Sequence, residues 1–191
     1  MNILILGGGG YVGTLLCDEL LKEEKYFIKI IDTFWFRNKL KKNKKLKIIK
    51  KDIRNLKSSD FKGIDSIIHL ANIANDPAVE LNEALSWDVN VLAAFKIINF
   101  AIKNHVKKFI FASSGSVYGL KKEKKVTEDL ELVPISVYNK TKMIAERVLM
   151  SFRDKINIYC IRPATICGYS PRMRFDLSVN MLTLQALKKN R

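Results

Sequence analysis

Two side chains four residues apart open the chemical reading of this chain. In "YNKTK", Tyr138 and Lys142 stand at i and i+4, so on a helix their side chains meet on one face. A free phenol loses its proton near pH 10. A neighbouring ammonium favours the phenolate, which would make Tyr138 a proton acceptor closer to neutrality. A Tyr four residues before a Lys is common by chance, and the pair gains meaning from Ser113 and Ser114 at the end of the preceding apolar segment. A serine hydroxyl there can hold a substrate oxygen while the phenol moves its proton.

A second chemical feature lies near the start. "GGGGYVG", residues 7–13, follows "ILIL" directly. Glycine weakens regular structure, so five of them among seven positions imply that the backbone itself must be accessible. A strand, a glycine turn and a helix present unpaired N–H groups and the positive end of the helix dipole, which a diphosphate satisfies. Gly7, Gly10 and Gly13 have the spacing for the tight turn, for close diphosphate approach and for tight helix packing; Gly8 and Gly9 are expected to tolerate other residues. Asp32 follows Gly13 by 19 positions at the end of a second apolar run, where its carboxylate can accept bonds from an adenosine ribose diol. The same charge would repel a 2′-phosphate, so NAD is expected rather than NADP. Asp52 fits either an adenine contact or a cap on the next turn.

The elements that must hold these groups follow from periodicity. Short apolar runs at 2–6, 26–32, 46–52, 64–72, 106–114 and 156–163 read as strands. Helical spacing is expected over 11–25, 78–104 and 136–152, with a further helix starting near 175 and running to 191. Strands alternating with helices predict an α/β fold: a doubly wound parallel sheet with helices on both faces. At 191 residues the chain reads as one NAD-binding domain, with 164–191 beginning a substrate-binding region.

Composition bounds the rest. There are 34 Lys and Arg against 19 Asp and Glu, a formal charge of +15. Lysine dominates, as an AT-rich coding sequence would produce, and the basic runs at 37–51 and 121–125 lack interleaved aromatics. They read as solvated loops, and no nucleic-acid partner is expected. No window approaches the roughly 18 uninterrupted apolar residues of a membrane span, and the start lacks the pattern of a secretion signal. A cytoplasmic location without membrane contact is therefore expected. Cys17, Cys160 and Cys167 with His69 and His105 lack metal-ligand spacing, so reduced thiols and no metal site are expected.

Taken in order, "GGGGYVG", "KDIRN", "HLAN", "SSGSVYG", "YNKTK" and "RPATICGYSP" resemble the extended short-chain dehydrogenase/reductase family, specifically its NAD-dependent nucleotide-sugar epimerases and dehydratases. The resemblance implies a Ser114, Tyr138 and Lys142 triad, with Ser114 chosen because it lies three residues before Val117 of "VYG". It implies cofactor contacts from Gly7, Gly10, Tyr11, Val12, Gly13, Asp32, Asp52, Ile53, Leu70, Ala71, Asn72, Asn90, Tyr138, Lys142 and Pro163. Ser114, Ser116 and Asn180 are the implied substrate contacts. Ile53 equally suits the core, Asn90 equally suits bonding to backbone carbonyls, and Asn72 stands where the family commonly has alanine. Arg172 and Arg174 suit a substrate pyrophosphate or a surface role.

The implied activity is epimerisation of a nucleotide sugar through transient oxidation, with Tyr138 taking the hydroxyl proton and Lys142 holding the nicotinamide ribose. Gly115 and Ser116 replace the acidic pair of the 4,6-dehydratases and argue against that elimination. A sugar dehydratase, a carbonyl reductase and a non-catalytic NAD-binding module remain as alternatives. Family members are longer, so the chain is expected to lack most of a substrate lobe. They pair through helices, and the stripes at 91–102 and 141–152 suit such a homodimer or burial against the sheet.

Overall fold

The computed structural model describes residues 1–189. The last two positions of the expected final helix lie outside the described residues. Six strands form one sheet in the order β3-β2-β1-β4-β5-β6, and every neighbouring pair is parallel. In chain order they are β1 (Asn2–Leu6), β2 (Phe27–Asp32), β3 (Leu46–Lys50), β4 (Ser66–His69), β5 (Lys108–Ala112) and β6 (Asn157–Ile161). The order reverses between β1 and β4, which makes the gap above them the topological switch point where ligands of such sheets gather.

The unbroken "ILIL" of β1 is explained by its two buried faces. Ile3 and Ile5 pack with Cys17, Ile28 and Ile30 on one side. Leu4 and Leu6 join Ile67, Phe109, Phe111, Ile97, Ile98 and Leu149 in the larger core on the other. Helix α1 (Tyr11–Leu20) supplies the first layer. It stops five residues before the expected end, because beyond Leu21, which still packs on this core, "KEEK" offers no apolar side chain to bury. On β6 that same side is bare, leaving Tyr159 and Ile161 half exposed.

The expected helix at 78–104 is segmented into α2 (Asp76–Glu80), α3 (Glu83–Trp87), a π-helical turn (Asp88–Leu92) and α4 (Ala93–Lys103). Asn82 caps α3 by accepting from the Leu85 N–H at 2.9 Å, which explains the break after α2. Asn90, buried within the π turn, explains the next irregularity. The stretch Glu83–Lys103 is long and apolar enough to cross a bilayer, and half of its most apolar window is buried inside this fold. Helix α5 (Val137–Met150) is capped by Ser136 and packs beside α4, and α6 (Ser178–Lys189) closes the described chain. The basic run at 121–125 is irregular and mostly exposed.

Candidate active site

The glycine turn is tight where protein packs on it and open where a ligand would lie. Gly7 has φ +81°, and a Cβ there would sit on the backbone nitrogen of Ala71. A Cβ on Gly13 would come within 2.6 Å of the Gly8 Cα, so the helix could not pack onto the turn. At Gly10, by contrast, a Cβ would meet only the Gly7 carbonyl oxygen, at 3.3 Å. Gly10 caps α1 without a side-chain bond, and the first turn carries no acid. The N–H groups there therefore face outward with the positive end of the dipole behind them.

Gly8 and Gly9 correct the expectation of tolerance. A Cβ on the first would lie 2.8 Å from Ile30 side-chain atoms, and on the second 2.6 Å from the Phe34 ring. Asp32 helps hold this turn, accepting from the Gly9 N–H at 2.9 Å and the Phe34 N–H at 2.7 Å. A carboxylate has lone pairs for more than two donors, so a ribose diol can still be accepted. The turn, its open Gly10 side and the Asp32 carboxylate thus fit a dinucleotide.

Around it, the other expected cofactor residues divide. Leu70 and Ala71 donate their N–H groups to the Leu6 carbonyl, both at 2.8 Å, so β4 opens above the glycine turn. Val12 stays partly exposed on α1, whereas Ile53 is buried in the core. Asp52 lies past the end of β3, caps the turn at 53–55 and pairs with Arg54, which also reaches Asp88. Tyr11 points its hydroxyl to the Gly168 carbonyl, 2.6 Å, tying α1 to the segment after β6.

The Tyr138, Lys142 and Ser114 side chains converge beyond the C-terminal ends of β4 and β5. Lys142 is 3% exposed and donates from Nζ to the Ala112 carbonyl at 2.7 Å. Asn72, with its amide oxygen turned to Nζ at 3.0 Å, gives its NH2 to the Ile73 carbonyl at 2.8 Å. Asn90 accepts from the Ile73 N–H at 2.8 Å and donates to Thr141 Oγ1 at 3.1 Å. It therefore ties the β4 loop to α5 rather than bonding carbonyls alone.

Burial lowers the Lys142 pKa to about 7, against a partial opposing pull from Glu146. His69, wedged against Phe109 and Phe111, has no hydrogen-bond partner for either ring nitrogen among the described residues, and burial followed by Lys142 lowers its pKa to about 3. The expected acidification of Tyr138 by Lys142 is not found. Burial raises the phenol pKa, Asp76 adds to this, and Arg174 and Ser114 pull the other way. The reason is geometric: Nζ sits 5.9 Å from the centre of the Tyr138 ring, and its own charge is already weakened.

Ser114 lies two residues past the end of β5 and caps the turn 115–118. Its Oγ is 2.7 Å from Ser116 Oγ, which donates to Asn139 Oδ1 at 2.6 Å. Pro163 reaches the same turn, its carbonyl accepting from the Gly115 N–H at 2.7 Å. Asn180 is 6% exposed, and its amide is committed to Gly168, Tyr11 and Arg174 within the chain. Arg174 pairs with Asp176 at 2.6 Å, while Arg172 lies 3.9 Å over the Phe36 ring in an open cleft beside Trp35.

Three contributors escaped sequence reasoning. Asn139 gave no signal, because its type is unremarkable inside "YNKTK". Glu146 did give one, standing at i+4 from Lys142 on the same helical face. Its carboxylate, 3% exposed, holds Arg162 at 2.7 Å, and Arg162 in turn donates to the Tyr118 hydroxyl at 2.8 Å.

A doubly wound parallel sheet, a glycine turn at its switch point and a Tyr–Lys pair beside a serine define the short-chain dehydrogenase/reductase class. Within it, residues 3–190 match the model of the NAD dependent epimerase/dehydratase family, and the chain belongs to that family. An uncharacterized UDP-glucose epimerase of Bacillus subtilis is 32% identical over 99% of this chain and 63% of its own length. A UDP-glucose 4-epimerase of Lactobacillus helveticus is 30% identical over 89% of this chain and 53% of its own. The solved UDP-N-acetylglucosamine 4-epimerase of Methanobrevibacter ruminantium superposes with TM-score 0.90 at 25% identity, covering 100% of this chain and 63% of that one. The Bacillus cereus UDP-glucuronic acid 4-epimerase, solved with UDP-glucuronic acid and NAD, gives 0.87 at 29% identity, covering 98% and 63%. This chain thus spans less than two thirds of the length of these relatives.

Proposed function

We propose that this chain is the cofactor-binding and catalytic portion of an NAD-dependent nucleotide-sugar epimerase acting on a UDP-hexose. The observation that carries the reading is the convergence of Tyr138, Lys142 and Ser114 beyond the C-terminal end of β5, at the same edge of the sheet as the glycine turn that follows β1. UDP-sugar 4-epimerases among the relatives support the substrate class.

NAD, when bound, would supply the acceptor and later the donor of a hydride at a sugar carbon. The chain's own groups do the rest. The N–H groups at the start of α1 hold the diphosphate, and Asp32 accepts from the adenosine ribose. Ser114 orients the reacting sugar hydroxyl, and Tyr138 Oη takes its proton and later gives one back. A buried phenol with a raised pKa must first lose its own proton before it can take the sugar's, and positive charge on Arg174 and Lys142 would stabilise the phenolate so formed.

No carboxylate stands at positions 115 and 116 beside Ser114, which favours epimerisation over elimination. Residues 164–189 begin the sugar-nucleotide side, with Arg172 and Arg174 available to a diphosphate. Leu92, Phe95 and Met150 are exposed apolar side chains on α4, α5 and the turn between α3 and α4, which suits pairing of two copies. The test is incubation of the chain with NAD and UDP-hexoses, followed by separation of epimers. Formation of a C4 epimer that disappears in Tyr138→Phe supports the reading. NAD binding without any epimer, or net NADH accumulation, overturns it in favour of a binding module or a reductase.

A further inference from the structure

Lys142 Nζ has two acceptors within the chain. One is the Ala112 carbonyl at the end of β5, 2.7 Å away, and the other is the side chain of Asn72 in the loop after β4. Chemistry settles which way the Asn72 amide points. The Ile73 carbonyl can only accept, so the NH2 must face it, at 2.8 Å, and the amide oxygen then lies 3.0 Å from Nζ. The Ile73 carbonyl also takes a bond from Asn90 Nδ2 at 3.2 Å, so it keeps a donor when Asn72 is replaced. The contribution particular to Asn72 is therefore the oxygen aimed at Lys142.

We propose that Asn72 is a positioning residue: its amide oxygen and the Ala112 carbonyl form a two-point seat that fixes Lys142 Nζ between the ends of β4 and β5 and favours its protonated form. The inference rests on the role given to Lys142 above and adds the device that keeps a charge in a buried place. An ammonium carries three N–H donors, so two seated hydrogens leave the third for a ligand oxygen. A neutral amine carries two hydrogens, and the seat takes both. Bonds from a charged donor are stronger than the same bonds from a neutral one, so the seat shifts the balance toward the ammonium. This opposes burial, which draws the Lys142 pKa down to about 7. The titratable groups around Nζ are Glu146 and Tyr138 on α5 itself and His69 from β4, with Arg174 and Asp76 facing the Tyr138 phenol. Glu146 favours the ammonium, whereas His69, with its pKa of about 3, is uncharged near neutrality. Asn72 carries no charge at any of these pH values, and what it supplies is a fixed dipole.

The test is a carbon-13 NMR titration of the full chain labelled at lysine Cε, with the Lys142 signal identified by its loss in Lys142→Met. It needs neither cofactor nor sugar, so it can fail while the epimerase reading stands, and the reverse. Asn72→Leu keeps most of the volume and removes the acceptor; it should lower the Lys142 pKa by about one unit, a tenfold change in proton affinity. Asn72→Val, smaller and equally unable to accept, carries the same expectation and serves if the leucine variant does not fold. Asn72→Asp keeps an oxygen beside Nζ and adds negative charge, so it should raise the pKa above that of the parent. A purely structural role gives the opposite sign in the apolar variants, because loosened packing admits water and relieves the desolvation that holds the pKa down. An unmoved or raised Lys142 pKa in Asn72→Leu and Asn72→Val, or a lowered one in Asn72→Asp, would overturn the proposal.

Discussion

Replacing Lys142 with methionine tests the electrostatics of the site without any ligand. The side chain keeps nearly its length and loses the ammonium. In the folded chain the Lys142 pKa is about 7, below its ordinary value of 10.5, because burial penalises the charge. Between those values the unfolded chain binds a proton that the folded chain does not, so stability rises with pH across the window. Below pH 7 the buried ammonium is charged and its cost is fully present. The slope is about 1.4 kcal/mol per pH unit, which accumulates to about 4 kcal/mol between pH 7 and pH 10. At pH 10 neutral lysine still bonds the Ala112 carbonyl, an advantage of about 1 kcal/mol over methionine. Lys142→Met should therefore be more stable than the parent by about 3 kcal/mol at pH 7 and less stable by about 1 kcal/mol at pH 10. Cys17 and Cys160, whose pKa values burial pushes to about 12, erode stability at the alkaline end in both proteins and cancel in the difference. His69 titrates below the window. Urea unfolding at several pH values gives the two curves, and parallel curves would refute the assignment of Lys142 as a buried, weakened cation.

Four further expectations are independent of that one. Tyr138→Phe should cut epimer formation by about 10²- to 10⁴-fold while leaving NAD affinity within a few-fold, measured by product analysis and by calorimetric titration. Gly10→Ala should leave the melting temperature nearly unchanged and weaken NAD binding roughly tenfold, because the added methyl meets only the Gly7 carbonyl on the protein side. Gly7→Ala should instead destabilise the fold by about 2 kcal/mol or more, since its φ of +81° and the Ala71 backbone both oppose a side chain. Glu146→Ala should cost about 3 kcal/mol in denaturant unfolding, because it strands the Arg162 guanidinium, now 2.7 Å from its carboxylate, partly buried without a counter-charge.

The strand pattern was legible because a parallel sheet covered on both faces leaves runs such as "ILIL" with no polar interruption, a signal read directly from the letters. The glycine spacing and the Tyr138–Lys142 pair were legible for a related reason, as their geometry is local and fixed by one turn and one helix. What sequence could not supply was set by packing between distant elements. The π turn around Asn90 depends on where α5 lies, through contacts such as Asn90 to Thr141. The rise in the Tyr138 pKa comes from burial, which has no counterpart in i, i+4 spacing. Gly8 and Gly9 looked dispensable because Ile30 and Phe34, which crowd them, stand more than twenty residues away in the chain.

The most direct test of the central claim is a crystal structure of this chain grown with NAD. The diphosphate should lie against the N–H groups that begin α1, the adenosine ribose on Asp32, and the nicotinamide ring beside the Tyr138 phenol and the Lys142 side chain. A dinucleotide lodged elsewhere, or a Tyr138 side chain turned away from the ring, would contradict it.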